Sequence, residues 1–264
     1  MILKKGTEMS NGKYDLSFIS DDDILHHVLE TVGKDRFEIN LKDFNSNLID
    51  PIKLTFDSKV YGKTIEDIIE SEAIRQIDKS NTNHIGYFHQ NIFKYFKGWE
   101  VPEQGFDVIN ESRKIYVEMK NKHNTMNSAS SQKTYIKMQS KILRDDEATC
   151  YLVEVIAKGS QDKAWKISLD GETMSNKNIR RMSVDKFYEI VTGEKNAFEK
   201  LCAVLPRVIE DAVLETGKGK ISNSVFDELM TISPNILNSL YLLAFQKYQG
   251  FEFLKNHNVQ RGCP

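Results

Sequence analysis

The chain has 264 residues, with 36 Lys and Arg against 38 Asp and Glu and a formal net charge of −2. With 40% hydrophobic and 28% charged residues, 14 Gly and 5 Pro, it can bury a core, which excludes wholesale disorder and collagen-like or mucin-like chains. Its cysteines, at 150, 202 and 263, are odd in number and widely spaced, with no C-x-x-C pair. That argues against a disulfide framework and a structural zinc site and fits a reducing, cytoplasmic setting.

The opening MILKKGTEMSNGKYD is too polar for a signal peptide. No window approaches the ~18 apolar residues of a membrane span, so no membrane partner is expected. Neither an internal repeat nor a Gly/Ser linker is present. The expectation is one domain over residues 1–264, with a core at about 64–170 and helical portions on either side.

Residues 21–33 (DDDILHHVLETVG) predict a helix, with Asp21 to Asp23 at its start and Ile24, Val28, Leu29 and Val32 as its apolar face. Residues 64–79 predict a second helix. Thr64 and Asp67 form a capping box with Asp in the Glu place, and Ile65, Ile68, Ile69, Ala73 and Ile77 make its stripe. Residues 84–96 (HIGYFHQNIFKYF) predict a third helix, ended by Gly98. The segments GFDVIN (105–110) and KIYVEMK (114–120), separated by Glu111, Ser112 and Arg113, then predict a β-hairpin. A helix over 128–144 follows. TCYLVEVI (149–156) is apolar enough for a buried central strand, AWKISL (164–169) predicts another strand, and helical periodicity returns over 183–215 and 224–248. The class is α/β, a mixed β-sheet flanked by helices.

The chemistry-bearing stretch is GFDVINESRKIYVEMKNK, residues 105–122. A turn centred on Glu111 and Ser112 sets Asn110 opposite Arg113 and Asp107 opposite Tyr116. Strand alternation then puts Tyr116, Glu118 and Lys120 on the face of Asp107, with Glu118 its diagonal neighbour. Ile115, Val117 and Met119 take the other face. Two close carboxylates repel, and a divalent cation relieves the conflict. Mg²⁺ prefers oxygen and accepts one or two carboxylates together with waters and phosphate oxygens. Lys120 adds a cation able to orient a water or offset charge on a phosphorane. The bland alternative is a solvated hairpin face, the commonest fate of such charges.

Residues 113–144 carry eight basic side chains, Arg113, Lys114, Lys120, Lys122, Lys133, Lys137, Lys141 and Arg144, and one acid before the final turn, Glu118. Lys133, Lys137, Lys141 and Arg144 form one helical stripe suited to phosphates. The intervening loop Asn121 to Ser131 is rich in Asn, Ser and Lys, residues that read base edges but also make ordinary loops. Other motifs fail. Gly217-Lys218-Gly219-Lys220 lacks the earlier Gly of a phosphate loop, and no strand precedes it. His26 and His27 point to different sides of a helix, and His84 and His89 do not stack on one face. No G-x-S-x-G or H-E-x-x-H motif is present.

Asp107-x10-Glu118-x-Lys120 resembles the PD-(D/E)xK nuclease core of many type II restriction endonucleases. SFISDDDILHHVLETV, FNSNLIDPIKLTFDSKVYGKTIEDIIE, RQIDKSNTNHIGYFHQNIFKYF, VEMKNKHNTMNS and DKFYEIVTG together resemble the restriction endonucleases that cut at GGNCC. The resemblance covers most of residues 17–195. It implies a restriction-endonuclease-like fold, Asp107 and Glu118 as Mg²⁺ ligands, and Lys120 as the catalytic lysine. Phe106 stands where the motif has Pro. The resemblance further implies a type II site-specific deoxyribonuclease acting on double-stranded DNA as a homodimer, 5′-phosphate products, and a cognate DNA methyltransferase in the host. DNA contacts are expected from Lys122, His123, Asn124 and Asn127 in the loop and Lys133, Lys137 and Lys141 on the stripe. Glu70 and Glu72 are candidates for one further acid, with no commitment to either. A non-cleaving DNA-binding protein and a structure-selective repair nuclease on the same fold compete with this reading.

Overall fold

A computed structural model of the chain describes residues 12–169, 171–217 and 221–245. The opening stretch to Asn11, the Lys218–Lys220 run, residues 246–248 of the expected last helix, and Cys263 lie outside the described residues. Chain order gives α1 (Asp21–Lys34), β1 (Glu38–Ile39), α2 (Leu41–Asn45), α3 (Pro51–Tyr61) and α4 (Ile65–Asn91), which a 3-10 turn extends over Ile92–Tyr95. Next come β2 (Val108–Asn110), β3 (Ile115–Lys122), α5 (Ser128–Arg144), β4 (Thr149–Ile156), β5 (Asp162–Leu169) and β6 (Glu172–Ser183). The described chain closes with α6 (Val184–Thr192), α7 (Ala197–Thr216), β7 (Ser222–Asn223), α8 (Val225–Ile232) and α9 (Ile236–Phe245).

Two compact units emerge: one takes the chain up to Gly33 with His84–Gly217, the other Lys34–Asn83 with the chain from Lys218. The first holds a five-stranded sheet in the order β2-β3-β4-β6-β5. Here β3, β4 and β6 run parallel, while β2 and β5 are antiparallel edges, so the sheet is mixed, as expected. TCYLVEVI is the central strand, buried along most of its length. Tyr135 and Met138 of α5 pack on Tyr116, Cys150, Leu152, Trp165 and Ile179. Val117, Met119, Tyr151 and Val153, at the alternate positions, are buried as well, so both sheet faces are covered. The second unit has its own core, in which Ile39, Phe44, Leu54, Ile69, Ala73 and Ile77 meet Val225, Leu229, Ile236 and Leu240. Short β1 pairs parallel with β7 in the same unit.

Several elements differ from expectation. The predicted helices over 64–79 and 84–96 are one continuous α4 plus its 3-10 turn. The intervening Ser80-Asn81-Thr82-Asn83 contains no Gly or Pro to stop it. Asn81 is also held in place, accepting from Arg36 N at 2.8 Å and donating to Arg36 O at 3.1 Å. The Thr64–Asp67 capping box is present in both directions, at 3.2 and 3.1 Å. Helices α2 and α3 and strand β6 were not predicted, and 224–248 is not one helix. It breaks at Ser233, whose extended backbone (φ −155, ψ 141) is what a following Pro imposes. Among the described residues no helix is long and apolar enough to cross a membrane.

Candidate active site

The hairpin turn is wider than the sequence reading had it. Buried Asn110 sets it, its side-chain oxygen accepting from Arg113 N at 3.0 Å and Ser112 Oγ at 2.9 Å. Lys114 takes the left-handed conformation, φ 54, and Asn110 pairs with Ile115 rather than Arg113. The register therefore moves by two residues. Val108 pairs with Val117, and Asp107 N donates to Val117 O at 2.9 Å. Asp107 itself lies in a bend just before β2, and the shift carries it away from Tyr116 and toward Glu118. A shift of two preserves the faces, so Glu118 and Lys120 still share one side of β3, and Asp107 stands near enough for its charge to act on Glu118. Met119 N donates to Asp107 Oδ2 at 2.7 Å, tying that carboxylate to β3.

This is no solvated face. Glu118 is only 8% exposed, because α5 lies over the strand. Burial pushes its carboxyl above the ordinary value, the hydrogen bond from Lys137 opposes that, and the charge of Asp107 pushes it up again. Lys137 of α5 donates to Glu118 Oε1 and, at 2.6 Å, to Gly105 O. Its ammonium lies 4.5 Å from the ring centre of Phe106. Lys141 sits 3.9 Å over the ring of Tyr116, whose hydroxyl donates to Glu111 at 2.6 Å. Two of the three lysines singled out on the stripe are thus turned onto the hairpin, while Lys133 is exposed. Phe106, in the place of the motif's Pro, packs on Tyr116 at 5.4 Å.

The strand order places a further cluster beside Lys120. Glu154 of β4 pairs with Lys120 in register and is 1% exposed. It accepts from Arg181 of β6 through Nε at 2.9 Å and through Nη2, and from His123 Nδ1 at 2.9 Å. Burial pushes Glu154 up, but the hydrogen bonds from Arg181 and His123 outweigh it, and the net shift is downward. Arg181 Nη2 also reaches Asn124 Oδ1 at 3.3 Å, across a loop in which Asn124 is left-handed, φ 55. So His123 and Asn124 are held by the sheet, Lys122 is exposed, and Asn127 caps α5 by accepting from Ser130 N at 2.9 Å. Sequence reasoning missed Glu154 and Arg181. The signal for Glu154 was a lone acid in an apolar strand. Arg181 lay in a strand that was not recognised.

The donor set suits a hard cation that keeps part of its water shell. Asp107 and Glu118 offer carboxylate oxygens, and among the described residues no group of three His, Cys, Asp or Glu could hold a metal ion. Two carboxylates fit Mg²⁺, which typically binds through one or two. Glu72 is taken up by Arg75 and Gln76 within the second unit, and Glu70 there is exposed. Asp107 borders a concavity of about 310 Å³ that Gln90, Asn91, Lys94 and Gln104 also line.

Comparison with known proteins finds relatives over most of the chain. Residues 16–214 match the family described as Eco47II restriction endonuclease. The chain is 32% identical over 223 residues to the type II restriction enzyme Sau96I of Staphylococcus aureus, covering 80% of this chain and 85% of that one. It is 33% identical over 208 residues to the type II restriction enzyme Eco47II of Escherichia coli, covering 74% of this chain and 87% of that one.

Proposed function

The chain belongs to the Eco47II restriction endonuclease family and is a type II restriction endonuclease; from that premise we propose that Asp107 and Glu118 hold Mg²⁺, that Lys120 is the catalytic lysine, and that the site cut is GGNCC. The observation that carries the assignment of residues is the hairpin, in which Asp107 accepts from Met119 N and acts on Glu118, with Lys120 on the face of Glu118. A bound Mg²⁺ supplies a water of lowered pKa and neutralises charge on the phosphate in the transition state. The protein's own groups do the positioning. Met119 N fixes the aim of Asp107. Lys120, beside the carboxylates, orients the attacking water and offsets charge on the phosphorane. Attack at phosphorus breaks the bond to the 3′ oxygen and leaves a 5′-phosphate and a 3′-hydroxyl.

The substrate is double-stranded DNA, engaged through exposed Lys122 and Lys133 and through the loop carrying His123, Asn124 and Asn127, with Lys137 and Lys141 at its edge. A target with two-fold symmetry calls for two equivalent sites, which a homodimer supplies. The enzyme acts in the cytoplasm, where a cognate methyltransferase protects the host's own sites. Digestion of a long unmethylated duplex, with Mg²⁺ and with EDTA, tests this reading once fragment ends are sequenced. Discrete Mg²⁺-dependent fragments ending at GGNCC are expected. Fragments sharing another site would overturn the recognition sequence, and cutting in EDTA would overturn the metal.

A further inference from the structure

Lys137 behaves unlike a member of a phosphate-binding stripe. Its neighbour Met138 and Tyr135 are fully buried against the sheet, so the backbone of α5 is fixed on that sheet face. From there the Lys137 ammonium lies over the ring of Phe106 and reaches Gly105 O and Glu118 Oε1. A buried carboxylate next to a second carboxylate calls for a cation, and among the described residues Lys137 is bonded to it.

We propose that Lys137 is the resident counter-ion of Glu118, and that a divalent cation entering between Asp107 and Glu118 takes its place. The inference rests on the reading of those two carboxylates as the metal site. Both cations want the same oxygen. The charge count points the same way: Asp107 and Glu118 balance Lys120 and Lys137, so a dication brings an excess of two positive charges unless negative charge arrives or Lys137 withdraws. DNA brings that negative charge. On leaving Glu118, the ammonium swings on its flexible stem to the edge of the site, where a phosphate would meet it. Lys137 is thus a positioning residue that holds the Glu118 side chain aimed before the metal enters. Metal entry and phosphate capture become parts of one exchange.

The test is titration of the DNA-free protein with Mn²⁺, comparing wild type, Glu118→Gln, Lys137→Gln, Lys137→Met, Lys137→Arg and Lys133→Gln, each checked for folding by circular dichroism. Lys137→Met keeps an unbranched apolar side chain of similar length should the glutamine variant fold poorly. With the competing charge gone, Lys137→Gln and Lys137→Met should bind Mn²⁺ about tenfold tighter. Lys137→Arg should bind no tighter than wild type, Lys133→Gln should match wild type, and Glu118→Gln should lose binding. Unchanged or weaker Mn²⁺ binding in the uncharged variants, with binding still dependent on Glu118, would overturn the counter-ion role and leave the metal site standing. Mn²⁺ binding indifferent to Glu118 would overturn both.

Discussion

On the proposed assignment, alanine at Asp107, Glu118 or Lys120 should in each case lower single-turnover cleavage on the order of a thousandfold. Folding should survive in each, as thermal melts can check. Glu154 belongs to a different class. It is buried and joined to Arg181 and His123, so Glu154→Gln strands a mostly buried guanidinium and should cost about 3 kcal/mol at neutral pH. The sign of its pH dependence follows from its depressed pKa. The unfolded chain takes up the proton first, so the contribution is complete above the ordinary Glu range and is lost as pH falls through the folded value. Denaturant unfolding from pH 7 down to 4 should show the wild-type advantage over Glu154→Gln shrinking with acid; a constant gap would refute the ion pair as its source. The grouping of Asp107, Glu118 and Lys120 was legible because Glu118 and Lys120 alternate along a strand whose other face is apolar, with Asp107 just before its hairpin partner. Glu154 and Arg181 were not, because their meeting depends on which strands lie side by side, and no local pattern encodes that.

Elements position these side chains, and α5 is the one that closes the site. Asn127 accepts from Ser130 N at its start. Asn127→Ala should therefore cost about 1 kcal/mol, while Asn127→Ser, another good cap, should keep nearly all the stability. Chemical denaturation of the two variants checks this, and equal losses would show that the cap is not what Asn127 supplies. Helix α5 and strand β4 were readable to the residue: one has sharp amphipathic spacing after a capping Asn, and the other is a continuous apolar run. Strand β6 was invisible, since ETMSNKNIRRMS is polar along its exposed first half. The hairpin register was misread because the turn was taken as two residues. Asn110 bonding to Ser112 and Arg113 makes it four, and that spacing moves Asp107 away from Tyr116 and toward Glu118.

At the scale of the whole molecule, a net charge of −2 makes DNA binding a matter of where the cations stand. Exposed Lys133 should act on phosphate without regard to sequence. Lys133→Gln should weaken binding to cognate and random duplex alike and reduce the salt slope by about one; a loss confined to the cognate duplex would instead mark Lys133 as a base reader. The mixed sheet flanked by helices was legible from the order of elements. The second core, in which α8 and α9 meet residues from 39 to 77, was not, because it joins segments far apart in the chain that show only ordinary helical periodicity. The most direct measurement pairs cleavage with binding on one GGNCC duplex, using wild type and Glu118→Ala, with Mg²⁺ for cleavage and Ca²⁺ for binding. Wild type should cut and the variant should bind without cutting. A variant that still cuts at the wild-type rate would contradict the assignment of this hairpin as the catalytic centre.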